Sequence, residues 1–247
     1  MLRRNHCSQL VVIKRKEMAK TFVFLQIGDT SIAELLVKSI RKETHDARII
    51  QCTNADSLKV NGVDEIFRSE AASDNLMTFR LKAFRDLGLE SPAVYLDTDM
   101  IMLRPIDPSI LLEEFDAVVC ERSFDKNERF VQLIYRDFDF HCYKGKTMME
   151  AHPYIACFTI TRNYKFWDTA YEILMTMPSM FHAWFGDQEA IKCIVESGTL
   201  RIKKVPEATY ACLPERAISL ASKPRLLHFK GPERKSWMQE SLAKQQK

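Results

Sequence analysis

The first hundred residues alternate short apolar runs with stretches in which apolar residues recur every three or four positions. The first run, Thr21 to Ile27, is typical of a buried parallel strand, and the stretch after it predicts a helix that begins near Ser31. The pattern then predicts strands at Arg48 to Cys52 and Glu65 to Phe67, and a helix capped by Ser73-Asp74 and closed by Gly88. This alternation favours an α/β protein with an open, mostly parallel sheet flanked by helices, whose ligands bind at the carboxyl ends of the strands.

A fourth strand is predicted from Ala93 to Leu103, and two carboxylates, Asp97 and Asp99, interrupt it. In an extended chain, residues two apart point to the same face and lie about 6.5 to 7 Å apart. Two charges at the end of an apolar strand are costly unless hydrogen bonds, water or a cation compensate them, and a hard divalent ion is the usual occupant. The pair therefore predicts a site for a metal ion that also binds a diphosphate.

The second half of the chain continues the α/β pattern after a polar segment. From Glu121 to Pro153 the sequence is polar and aromatic without clear periodicity, so irregular structure is expected there. Strands are predicted at Asp116 to Cys120, Tyr154 to Thr161, Arg201 to Val205 and Arg225 to Phe229, and helices at Tyr164 to Met177 and Asp187 to Ser197. One domain is the economical interpretation, spanning residues 18–237 with a C-terminal tail at 238–247. Because Met18 looks like an ordinary start, residues 1–17 are interpreted as a disordered or mis-assigned extension.

Composition narrows the class of protein. With 247 residues, 46% of them apolar, the chain can bury a substantial core, and its net charge of +3 is too small to favour nucleic acid as a partner. Seven scattered cysteines without a C-x-x-C pair indicate reduced thiols and a cytoplasmic protein. No apolar segment approaches the roughly 18 to 20 residues of a transmembrane helix. Basic residues cluster at both ends and are interpreted as solvated tails, with contact to an anionic membrane surface or substrate as the alternative.

Two later segments carry further candidate chemistry. Asp187-Gln188 stands at a predicted helix start, and His228, Gly231, Lys235 and Trp237 follow near the C-terminus. With the Asp-x-Asp strand, this order and spacing resembles the GT-A type nucleotide-sugar glycosyltransferases, in particular glycosyltransferase family eight, which includes glycogenin and bacterial lipopolysaccharide hexosyltransferases. The resemblance covers most of the chain from Thr21 to Trp237. It implies a single GT-A (Rossmann-like) domain and transfer of a hexose from a nucleotide sugar, UDP-hexose above all, to a glycan, lipid or protein acceptor.

The resemblance also implies roles for particular residues. The metal, Mn²⁺ or Mg²⁺, would be held by Asp97, Asp99 and His228, and the diphosphate approached by Gly231 and Lys235. A basic residue of the helix before the Asp-x-Asp strand would touch the donor, with Arg80 the first choice and Lys82 the second. Asp187 and Gln188 would lie beside the reacting sugar. The nucleotide base would be touched by Gln26, Ile27 and Gly28. With the retaining chemistry of the family, Asp187 or Gln188 supports the sugar from the face opposite the acceptor. In an inverting enzyme, Asp187 would instead be the base.

The chain departs from the family pattern in three places. Ile155-Ala156-Cys157-Phe158 stands where an Asn-(Ala/Ser/Thr)-Gly motif is usual, which leaves the donor sugar open. One extra residue separates Gly231 from Lys235, and a glycine occupies position 28, where glycogenin-like sequences carry a polar side chain.

Each candidate also has a structural interpretation. Asp187 could serve as a helix N-cap, His228 as a core histidine, Lys235 as a tail charge and Arg80 as half of a structural salt bridge. A second Asp-x-Asp, at Asp137 and Asp139, is interpreted as an acceptor-side loop or solvated surface, and Trp184 and Phe185 as core residues or a stacking surface for a sugar. The rival functions are a phosphohydrolase of haloacid-dehalogenase type, which carries a similar Leu-Asp-x-Asp strand, and a non-catalytic sugar-nucleotide binding module.

Overall fold

The computed structural model describes residues 19–70, 75–130, 141–182, 185–217 and 223–245. The segment interpreted as an extension, residues 1–17, lies outside them, as do Asp137, Asp139 and Trp184. The strands are β1 (Thr21–Leu25), β2 (Arg48–Thr53), β3 (Glu65–Arg68), β4 (Ala93–Leu96), β5 (Met100–Met102), β6 (Ala117–Glu121), β7 (Tyr154–Thr161), β8 (Ile202–Pro206) and β9 (Leu226–His228). The α-helices are α1 (Ser31–Glu43), α2 (Leu76–Asp86), α3 (Pro108–Leu112), α4 (Met148–Ala151), α5 (Lys165–Thr176), α6 (Gly186–Ser197), α7 (Glu207–Tyr210), α8 (Pro214–Ala217) and α9 (Pro232–Gln245).

Seven strands form one central sheet in the order β3-β2-β1-β4-β7-β6-β8. Strand β7 is antiparallel to both of its neighbours, and every other adjacent pair is parallel. The remaining two strands, β5 and β9, pair antiparallel in a small second sheet. The predicted α/β class with a mostly parallel central sheet is confirmed.

Helices cover both faces of this sheet, so its central strands are buried on both sides, whereas the edge strands β3 and β8 are partly exposed. Along β1, Phe22 and Phe24 face one hydrophobic cluster and Val23 faces the other. On the second face, Phe84 of α2, Tyr95 of β4 and Trp167 of α5 pack ring against ring at centroid distances of 4.8 to 5.0 Å. Burial on both faces explains why these strands read as continuous apolar runs.

Three local predictions are wrong. The apolar run from Ala93 to Leu103 is not one strand, because β4 ends at Leu96 and a turn leads into β5 in the second sheet. The N-cap of α2 is Asn75, whose side chain accepts a 3.0 Å hydrogen bond from the Met77 N–H, rather than Ser73-Asp74, which lie outside the described residues. The segment predicted to be irregular contains the short helix α4, which Thr147 and Glu150 begin with a reciprocal capping box.

In the parts of the chain that the structure describes, no helix combines the length and the apolar character needed to cross a membrane.

Candidate active site

The Asp-x-Asp residues lie in the turn that carries the chain from the central sheet to the small one. The Asp97 N–H donates to the Cys157 carbonyl at 3.0 Å, the last bond of β4 to β7. Two residues later, the Asp99 carbonyl accepts the Phe229 N–H at 2.8 Å, and Met100 stands opposite His228 in the β5–β9 register. Pairing between segments well over a hundred residues apart therefore brings the histidine beside the acidic turn.

Asp97, Asp99 and His228 form one cluster of ligand atoms. One oxygen of each carboxylate and one imidazole nitrogen all lie within 4.8 Å of one another, and Asp99 Oδ1 is 3.4 Å from His228 Nε2. The His228 side chain is only 4% exposed, and its Nδ1 has no hydrogen-bond partner among the described residues. A buried imidazole whose Nε2 lies beside one carboxylate, in a cluster with a second carboxylate, fits a divalent cation that accepts nitrogen and oxygen ligands.

Asp99 is held as a carboxylate by its neighbours. Burial raises the pKa of Asp99, but hydrogen bonding and charge attraction from His228 and Lys235 outweigh this effect and lower the pKa to about 2. Lys235 Nζ lies 3.0 Å from Asp99 Oδ2, and its side chain is 43% exposed. The lysine therefore reaches the acidic cluster from the solvent side.

Arg80, on α2, links the acidic turn to the start of α6. Its Nη1 lies 2.5 Å from Asp97 Oδ1, and its Nη2 forms a close ion pair with Asp187. The Asp187 side chain is fully buried, so its charge depends on this guanidinium. The salt-bridge interpretation of Arg80 is confirmed, and the bridge lies inside the candidate site.

A tight turn places Asp187 and Gln188 at the start of α6. Phe185 has a left-handed backbone (φ 70°), and a Cβ added at Gly186 would lie 1.7 Å from the Phe181 carbonyl oxygen, so only glycine fits there. Phe185, not Asp187, is the N-cap residue, so the interpretation of Asp187 as the cap is wrong. The Asp187 carboxylate instead accepts the Gln188 N–H at 2.7 Å.

Other predicted residues lie around this cluster or away from it. Gly231 (φ 90°) precedes α9, and its carbonyl accepts the Lys235 N–H at 3.1 Å, which fixes where the lysine leaves the helix. Lys82 points elsewhere, because its Nζ pairs with Asp86 at 2.7 Å. Phe185 is buried and stacks on His152 with ring centroids 4.8 Å apart, which confirms its interpretation as a core residue.

The loop predicted to touch the base follows β1, at the same edge of the sheet as the end of β4. The Gln26 side chain folds back and donates to the Ile27 carbonyl at 2.9 Å. The Gly28 N–H donates to Ser57 Oγ at 3.0 Å with a positive φ of 77°, and the Ile27 side chain is exposed. The loop is thus tied to the segment after β2 and presents an apolar side chain to solvent.

Sequence reasoning missed Arg122. This residue directly follows β6, and its Nη2 donates to Gln188 Oε1 at 2.5 Å. The sequence pattern that identified Asp97 as a candidate also occurs here: a charged residue close to the end of an apolar strand, in Ala-Val-Val-Cys-Glu-Arg.

Compared by sequence, the chain matches no protein-family model and no curated protein at a significant level. Compared by structure, it resembles a glycosyltransferase involved in glycosylation of the major capsid of PBCV-1, at 9% identity and a TM-score of 0.57, over 91% of this chain and 100% of that one. It also resembles the galactosyltransferase LgtC in complex with donor and acceptor sugar analogs, at 14% identity and a TM-score of 0.53, over 90% and 95% of the two chains. A third similar structure is the glycosyltransferase GlyE of Streptococcus pneumoniae TIGR4, at 16% identity and a TM-score of 0.54, over 91% of this chain and 60% of that one.

These identities are too low to transfer an activity, and what they show is the fold. The chain has the GT-A fold of these glycosyltransferases. The fold implied by the resemblance to that class is therefore confirmed.

Proposed function

We propose that this protein is a metal-dependent glycosyltransferase that moves a hexose from a nucleotide sugar to an acceptor. The observation that carries the proposal is the convergence of Asp97, Asp99 and His228 at the carboxyl end of β4 in a GT-A fold. Ligands of open α/β sheets bind at this end of the strands.

The donor set favours Mn²⁺ over Mg²⁺ as the ion that Asp97, Asp99 and His228 would hold. Carboxylates suit both ions, but an imidazole nitrogen is a poor ligand for Mg²⁺, which prefers oxygen and retains its water. When bound, the ion would supply a Lewis acid that stabilises the negative charge on the departing diphosphate.

Residues of the chain itself would complete the binding of the diphosphate. Lys235 is exposed enough to exchange its contact with Asp99 for a phosphate oxygen, and the open backbone at Gly231 would let a phosphate approach closely. Losing one donor aimed at developing negative charge typically costs about 3 to 4 kcal/mol in the transition state.

The arrangement of Asp187 favours retention. Its carboxylate is buried and paired with Arg80, so it suits fixed support of the sugar better than removal of a proton from an acceptor. With retention, the acceptor hydroxyl attacks on the face from which the diphosphate leaves, and a phosphate oxygen takes its proton.

We further propose a UDP-hexose donor and a glycan, lipid or protein acceptor in the cytoplasm. The buried cysteines that the structure describes are free thiols, in keeping with a reducing compartment. Ala156 and Cys157 are buried in β7, so the donor sugar would be read without the asparagine that the family usually places there.

Calorimetric titration of UDP, with Mn²⁺ or with a chelator, tests binding, and a hydrolysis screen of UDP-, GDP- and CMP-sugars tests chemistry. We expect UDP to bind only with the metal, and one UDP-hexose to be hydrolysed slowly. Asp99→Asn should abolish both properties. Asp46→Asn is the matched control, because Asp46 is an exposed carboxylate just before β2, at the opposite edge of the sheet.

Two outcomes would contradict the proposal. Metal-dependent UDP binding without turnover of any donor would indicate a binding module. Phosphatase activity without nucleotide binding would indicate a phosphohydrolase.

A further inference from the structure

Arg122 makes a directional contact with one of the two residues proposed to lie beside the sugar. Arg122 is 7% exposed, its Nη2 donates to Gln188 Oε1 at 2.5 Å, and its Nε donates to the Tyr154 carbonyl at 3.4 Å. The backbone is also anchored, because the Arg122 N–H donates to the Pro153 carbonyl at 2.8 Å. The guanidinium is therefore held in place from the β7 side while it grips Gln188.

This contact determines which end of the Gln188 carboxamide faces the site. A guanidinium carries five N–H donors and no acceptor, so the atom of Gln188 that contacts it must be the oxygen. The amide NH₂ group then points away from Arg122. Gln188 is half-buried and follows Asp187 at the start of α6, where the sugar is proposed to lie.

We propose that Arg122 is a positioning residue that holds Gln188 as a hydrogen-bond donor toward the substrate. The orientation of the Gln188 carboxamide rests on its contact with Arg122. The effect of that orientation on catalysis rests on the proposed glycosyltransferase function. With its oxygen engaged by the guanidinium, Gln188 offers N–H to an oxygen of the sugar or of the leaving group. The hydrogen bond from a cation also draws electron density from that oxygen and makes it a weaker nucleophile, so in this proposal Gln188 supports the transfer as a donor rather than by forming a covalent intermediate.

The kinetic test compares Arg122→Met and Arg122→Lys with wild type. Arg122→Met should lower kcat about 10- to 100-fold while KM for the donor changes less than about threefold, because a misoriented amide weakens contacts made in the transition state. Arg122→Lys should recover part of the loss, since an ammonium is also a donor without acceptors. The matched control is Arg162→Met: Arg162 likewise donates to backbone carbonyls, of Glu113 and Phe115, but at the opposite end of β7. It should leave kcat unchanged.

A second test detects the contact between Arg122 and the side chain at position 188 without an activity assay. In Gln188→Glu, the new carboxylate would lie against Arg122, and its pKa measured by NMR should fall below the ordinary value of about 4.3. Adding Arg122→Met should raise that pKa by about one unit or more, whereas adding Arg162→Met should not change it.

The two tests separate the two proposals. An unchanged kcat in Arg122→Met overturns the positioning role, and so does a pKa of the Gln188→Glu carboxylate that is the same with and without Arg122. If the wild-type protein turns over no nucleotide sugar, the proposed function fails, and the NMR titration still decides whether Arg122 orients the side chain at position 188.

Discussion

The ion pair between Arg80 and Asp187 allows a quantitative test of the site. Asp187 is fully buried and Arg80 only 10% exposed, so Arg80→Met leaves a buried carboxylate without its cation. Removing one partner of a buried pair typically costs about 3 to 5 kcal/mol. The second bridge of Arg80 adds little, because Asp97 is 30% exposed and partly solvated. We therefore expect Arg80→Met to lower the free energy of unfolding by about 3 to 5 kcal/mol.

Denaturation with urea measures this loss, and a double-mutant cycle assigns it. Adding Asp187→Asn to Arg80→Met removes the stranded charge, so the cycle should give a coupling energy of about 2 to 3 kcal/mol. Arg85→Met is the control on the same helix, because its bridge to Asp86 is partly exposed and should contribute less than about 1 kcal/mol. Two results would show that the Arg80–Asp187 pair does not hold the site together. One is additive effects of Arg80→Met and Asp187→Asn; the other is a loss of unfolding free energy in Arg80→Met no larger than in Arg85→Met.

Three further predictions follow from the same structure. Gly186→Ala should lower the free energy of unfolding, measured with urea, by about 3 kcal/mol or more, because its Cβ would collide with the Phe181 carbonyl. The control Gly198→Ala has open space but a positive φ, so it should cost only about 1 kcal/mol. Equal losses in the two variants would contradict the clash. Burial and nearby cationic side chains lower the pKa of His152 to about 3, so its stabilising contribution is present above pH 6.5 and lost on acidification. From pH 6.5 to 4.5 the wild type should therefore lose about 2 to 3 kcal/mol more than His152→Phe, and parallel stability curves would count against this. Finally, Lys235→Met should weaken metal-dependent UDP binding about 10- to 100-fold by calorimetry, and an unchanged affinity would exclude the lysine from the diphosphate site.

Local patterns in the sequence were enough to predict most of the secondary structure. Strand β7 was predicted at its observed bounds, Tyr154–Thr161, and helix α1 was predicted to begin near Ser31, which is its first residue. Apolar periodicity and turn residues act over a few positions, so they can be read without knowing the fold. The approximate bounds of the other predicted strands and helices follow for the same reason, whereas the helices α3, α4, α7, α8 and α9 were not predicted.

The break after Leu96 could not be read in this way. Residues 93–96 and 100–102 are equally apolar, and they differ only in their partners: β4 pairs with β1 and β7, whereas β5 pairs with β9. The predicted arrangement, two carboxylates on one face of a continuous strand, was therefore wrong in its geometry. Asp97 and Asp99 converge because the chain turns between two sheets.

The class of fold and the residue types that carry chemistry could be read from the amino-acid order alone, because hydrophobic periodicity and charges at strand ends are local properties. Which of those residues meet depended on the folded chain. Folding placed His228 beside Asp99 through the β5–β9 pairing, joined Arg80 to both Asp97 and Asp187, turned Lys82 toward Asp86 and brought Arg122 to Gln188. Most of these contacts join segments far apart in the chain, and the pairing of strands and packing of helices that form them depend on the whole core rather than on any short stretch of sequence.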